Sequence, residues 1–107
     1  MLTRRGLLAS LAAAFGAKAA RAGCVTGSTE QFAAEARRMR EQAVAAGDQP
    51  YGAVIVLDGC IVGLGPSRVV VDANEDAHAE RVALWVAQAK LGRLDLFGAA
   101  IYSTSRP

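Results

Sequence analysis

The only histidine of the chain, His78, stands two residues before Glu80 in Ala77-His78-Ala79-Glu80. A neutral imidazole can bind a first-row metal ion through one ring nitrogen. A carboxylate beside an activated water can take its proton and return it to a leaving group. At a helix start, after the acidic stretch Asp72 to Asp76, both residues share the rim of one first turn. Taken alone the pattern is a weak signal. A histidine at a helix start is commonly a cap or surface group, and the helix dipole alone favours a glutamate there. Tyr51 and Trp85 read as core aromatics, and Arg37, Arg38 and Arg40 as a solvated helix face. The two cysteines, Cys24 and Cys60, are too few for a disulfide scaffold, and Cys60 at a strand start reads as a small buried hydrophobe.

The elements that position these residues follow from patterning. Ser28 and Gln31 form an S-x-x-Q capping box, and Phe32, Ala36, Met39 and Ala43 make the apolar stripe of a helix ending at Gly47. Asp48-Gln49-Pro50 is a loop. The β-branched run Ala53 to Leu57, the turn signal Asp58-Gly59 and Cys60 to Leu64 predict a hairpin broken by Gly65-Pro66-Ser67. Arg68 to Val71 is a candidate strand extension, and Asp76 is placed to cap a second helix over 77–91. Val82, Trp85, Val86 and Ala89 are its predicted buried face, with Gly92 as terminator. Leu94 to Phe97 connects to a last strand over 99–104. The α-β-β-α-β order predicts a layered α/β domain.

Residues 1–22 read as an export leader. Thr3-Arg4-Arg5-Gly6-Leu7-Leu8 resembles a twin-arginine motif, an apolar run reaches Phe15, and Ala20-Arg21-Ala22 is an A-x-A site with cleavage after Ala22. The run is too short to span a bilayer. The expected organisation is therefore a leader over 1–22 and one partial domain over 23–107, in the periplasm or outside the cell. The net charge of +2 belongs to the leader: beyond residue 22 eight basic residues face ten acidic ones, a net of −2. This excludes a basic nucleic-acid-binding face.

An ordered set of blocks extends the His78–Glu80 signal. Pro50-Tyr51-Gly52-Ala53-Val54-Ile55-Val56 resembles the P-F-G-A-V-[IV]-V strand of the cytidine, guanine and tRNA-adenosine deaminase superfamily. Asp58-Gly59 resembles its hairpin turn and Ala77-His78-Ala79-Glu80 its A-H-A-E. Residues 91–96 and 101–107 resemble the approach to its P-C-x-x-C. The resemblance implies a three-layer α-β-α sandwich of cytidine deaminase type, incomplete here. It implies hydrolytic deamination of a base or nucleoside, of purine or cytosine type, by zinc-activated water. His78 would be a zinc ligand and Glu80 the proton shuttle. Tyr51, Gly52, Ala53 and Ser67 would line the base pocket, Gly52 letting a planar base approach the backbone.

Two departures matter. The sequence stops at the proline of P-C-x-x-C, so Zn²⁺ is expected for the complete domain and this chain is expected to be an inactive fragment. Pro66-Ser67-Arg68-Val69 stands where the family has H-N-R-V, replacing its asparagine with a shorter hydroxyl. The alternative is a non-catalytic remnant that keeps the fold without the metal. The expected partner is a small-molecule base or nucleoside, with no nucleic acid, no stable membrane anchor after leader cleavage, and a homodimer allowed.

Overall fold

A computed structural model of the chain describes residues 25–104. The leader, Cys24 and Ser105-Arg106-Pro107 lie outside the described residues. The elements are β1 (Val25–Thr26), α1 (Thr29–Ala45), β2 (Gly52–Leu57), β3 (Cys60–Pro66), α2 (Ala79–Leu91) and β4 (Ala100–Ser103). The four strands form one antiparallel sheet in the order β1-β3-β2-β4. The predicted α-β-β-α-β order is present. The short β1, paired to β3 at Ile61 and Cys60, has no counterpart in the sequence reading, because two residues carry no periodicity.

α1 covers one face of the sheet. Ser28 and Gln31 make the predicted capping box, and the buried residues are the four of the predicted stripe. Phe32 and Met39 pack on Val54, Val56 and Ile61. Gly47 follows with φ +81, a left-handed value that glycine accepts without strain.

α2 covers the other face and departs from expectation. Its buried residues are Ala79, Val82, Ala83 and Ala87, whereas Trp85 and Val86 are 40% and 43% exposed and Ala89 is exposed. The cause lies on β3. A Cβ on Gly63 would come within 2.2 Å of the Ala83 carbonyl, and one on Gly65 within 2.2 Å of the Ala79 carbonyl. Backbone meets backbone along a glycine–alanine seam, so only small α2 side chains fit and Trp85 is turned to solvent.

A bulge serves this seam. Ile55 pairs with Gly63 and Val56 with Ile61, leaving Val62 as the extra residue. Ile61 faces the α1 cluster, while Val62 and Gly63 both serve the α2 side. Strict alternation could not do this. The hairpin turn has φ +52 at Asp58 and +75 at Gly59, the signs of a type I′ turn. β3 runs on to Pro66, which pairs with Gly52, so Gly65-Pro66 does not break it. Residues 69–73 form turns rather than the expected strand extension.

Cys60 is half-buried and disulfide-bonded, which corrects its reading as a simple buried hydrophobe. β1 running beside Cys60 brings the N-terminal flank against this strand end, a proximity that sequence spacing does not reveal.

Candidate functional site

A row of hydrogen bonds gathers the site residues along one rim of the sheet. The Gly52 N–H donates to Thr104 Oγ1 at 2.9 Å, tying the end of β4 to the start of β2. The Ser67 N–H donates to the Tyr51 carbonyl at 3.0 Å, and the Arg68 N–H to the Ala77 carbonyl at 2.9 Å. Tyr51, Gly52, Ser67 and His78 therefore lie along neighbouring segments, although 27 positions separate the first from the last in sequence.

His78 is the N-cap of α2, with φ −66 and ψ 156, and its side chain makes no capping bond. Asp76, expected as the cap, lies outside the helix. The Ala77 N–H donates to the Asn74 carbonyl at 3.0 Å, and this with the Arg68 bond holds Ala77 as a bridge to the end of β3. Helical geometry then starts only after His78. The imidazole is left exposed at the rim.

Glu80 sits in the first turn of α2 and is half-buried. It borders a cavity of about 360 Å³ whose walls include Ile55, Leu84, Leu96, Ala99 and Ile101. That volume lies in the range of small-ligand sites. A carboxylate at the edge of an apolar hollow can hold or move a proton there.

The four expected base-pocket residues are placed differently from one another. Tyr51 is 40% exposed at the rim rather than in the core. Ala53 is fully buried under α2 with Ala79 and Ala83. At Gly52 the space of the missing Cβ is taken by α1, since a Cβ would stand 2.2 Å from the Ala36 carbonyl and 2.3 Å from the Arg40 nitrogen. That vacancy serves helix packing and not the approach of a base, which corrects the reason given for this glycine. Ser67 is 2% exposed, and its hydroxyl donates to Asp48 Oδ1 at 2.8 Å.

Asp48 is the residue that sequence reasoning passed over. Its carboxylate also accepts from the N–H groups of Gln49, Val70 and Val71 at 2.8, 2.9 and 2.8 Å. Burial pushes its carboxyl up, and the bonds from Val71, Gln49, Ser67 and Val70 outweigh this and hold it below the ordinary range. Asp48 thus fastens the turns after Ser67 to the α1–β2 loop. The one available signal was an aspartate directly after a helix-ending glycine, where side-chain capping of loops is common.

As a zinc site the described residues do not fit. They contain no group of three His, Cys, Asp or Glu side chains able to hold a metal. One imidazole is short of the three or four protein donors zinc requires, and Cys60 is committed to its disulfide.

Comparison with known proteins agrees with this layout. Residues 26–107 match the family described as "Cytidine and deoxycytidylate deaminase zinc-binding region". The guanine deaminase of Bacillus subtilis (strain 168) is 38% identical over 58 residues, 54% of this chain and 37% of that protein. Its crystal structure superposes with a TM-score of 0.71 at 34% identity, covering 76% of this chain and 52% of the other. A tRNA:A34 deaminase structure gives 0.70 at 32% identity, covering 73% and 60%. The guanine deaminase of Nitrosomonas europaea gives 0.70 at 27% identity, covering 78% and 50%. Similar chains were solved with 2,6-diaminopurine and with 8-azaguanine bound. The chain spans between about a third and three-fifths of these relatives' lengths. With its matched region, its helix-strand-strand-helix-strand order and its His78–Glu80 rim, the chain belongs to the cytidine and deoxycytidylate deaminase family.

Proposed function

We propose that this chain supplies the imidazole and carboxylate half of a nucleobase deaminase site of the guanine type. The observation that carries the proposal is the pair of backbone bonds that bring the Tyr51 and His78 segments side by side at the start of α2, where Glu80 borders a ligand-sized hollow that neither Tyr51 nor His78 lines. Its support is the family match together with guanine deaminases among the relatives and purine analogues bound to similar chains. In this reading Tyr51 offers an exposed aromatic face against which a planar base can lie. Glu80 takes a proton from the attacking water and returns it to the departing amine. His78 would contribute one nitrogen to a metal centre completed by donors outside the described residues. Zinc belongs to the proposal only for a protein in which further donors join His78, and the 107-residue chain alone is proposed to be inactive.

The test is ammonia release from guanine, adenine, cytosine and their nucleosides by the protein carrying both halves of the metal site. Guanine is the expected substrate, and Glu80→Gln should lower the rate by roughly 10²–10⁴-fold, the worth of a general acid–base group. Activity within a few-fold of wild type in Glu80→Gln would make the carboxylate a helix-dipole partner only. No release from any base would leave the non-catalytic remnant as the correct reading.

A further inference from the structure

A second hollow lies on the opposite face of the sheet, between α1 and the end of β4. It measures about 260 Å³, and its walls include Ala33, Ala36, Arg37, Arg40, Tyr102 and Thr104. Helical side chains lean toward the helix N-terminus, over the residue four positions earlier. Arg37 therefore lies over Ala33, and Arg40 over Ala36. The two small residues leave a depression that Arg37 and Arg40 border.

Neither arginine forms an ion pair with another described residue. The ion pairs among the described residues are Arg38–Glu35 at 2.9 Å and Arg68–Asp72 at 2.8 Å. Glu35 is thus occupied by Arg38, and Glu41, one turn from Arg37, makes no ion pair within 4.0 Å to another described residue. Tyr102 is held by its ring against Phe32, with centroids 5.4 Å apart, and its hydroxyl has no hydrogen-bond partner among the described residues. Thr104 borders the hollow without adding a donor, because its hydroxyl is spent on both polar groups of Gly52.

We propose that Arg37, Arg40 and the Tyr102 hydroxyl bind a phosphate group in this hollow. Two guanidinium forks and a phenol offer donors from separate directions, which suits a tetrahedral oxyanion with several acceptors. A planar carboxylate would be satisfied by one fork. The site is on the α1 face, apart from His78 and Glu80, so it stands or falls independently of the deaminase reading. The phosphate can be the free ion or that of a nucleotide.

The experiment is a titration of the 107-residue chain with inorganic phosphate, followed by amide chemical shifts. The ionic strength is held constant at about 0.15 M with sodium chloride, so that diffuse surface charge is largely screened at every phosphate concentration. Saturable binding on the order of millimolar is expected, with roughly tenfold weakening in Arg37→Gln or Arg40→Gln, since each removes a charge-assisted fork. Arg38→Gln, which removes the same charge from a paired neighbour, should stay within about twofold of wild type. Tighter binding of guanosine 5′-monophosphate than of phosphate, with none by guanosine, would assign the site to a nucleotide, and equal affinity to free phosphate. Absence of saturation by about 50 mM phosphate would overturn the proposal. So would equal weakening in all three variants, which is the behaviour of diffuse net charge. The variants keep good helix formers on α1, and circular dichroism checks that each is folded.

Discussion

At Asp48 a half-buried carboxylate accepts hydrogen bonds from four donors, one of them the hydroxyl of the buried Ser67. Asn at this position keeps the size but loses the charge, and its amide nitrogen must face donors. Asp48→Asn should therefore destabilise the fold by about 1–3 kcal/mol at neutral pH, read from urea unfolding midpoints. The pH dependence has a definite sign. Because the folded carboxyl titrates below its ordinary 3.8, its stabilisation is complete above that value and is lost as pH falls through the lower folded value. The gap between wild type and Asp48→Asn should thus be constant from pH 7 to about pH 5 and close below pH 4. A gap that widened in acid would show that the network does not depend on the ionised carboxylate. An ordered set of motifs singles out His78 and Glu80 in the sequence, and the structure places them at the start of α2. Asp48 and Ser67 were not legible as a pair: 19 positions separate them, and nothing in either segment names the other.

Elements were legible where one periodicity decided them. The α1 stripe is buried as expected, with Phe32 and Met39 on Val54, Val56 and Ile61 and the Ala36 turn closing on Gly52. The α2 face was misjudged. A reading by residue size puts Trp85 and Val86 inward, whereas the seam is set by Gly63 and Gly65 on a strand far away in sequence. Gly65→Ala tests this directly. Its Cβ would meet the Ala79 carbonyl at 2.2 Å and the Ala83 nitrogen at 2.4 Å, both backbone atoms that cannot swing aside. The expected loss is about 1–3 kcal/mol or more, as for overpacked cores, together with displaced α2 resonances. Gly59→Ala offers a contrast: nothing lies within 4 Å, so any loss there reflects its φ of +75 alone. Equal losses with unmoved α2 signals would remove the seam as the cause.

For the whole molecule, two helices on opposite faces of one antiparallel sheet leave a hollow beside β4 on each face. No helix among the described residues is long and apolar enough to cross a membrane. We propose that residues 1–22 direct export through the twin-arginine route and are removed, so mass spectrometry of material from outside the cytoplasm should find Gly23 as the first residue. Recovery there of chains that still begin at Met1 would contradict it. The central claim is that this chain holds one zinc donor and one proton carrier in separate residues. A chelator-competition titration of zinc into the 107-residue chain, His78→Ala and Glu80→Gln measures it. Wild type and Glu80→Gln should bind weakly and alike, without stoichiometric zinc after dialysis against chelator, and His78→Ala should bind weaker still. Stoichiometric zinc retained by the wild-type chain, or a loss in Glu80→Gln as large as in His78→Ala, would contradict the account.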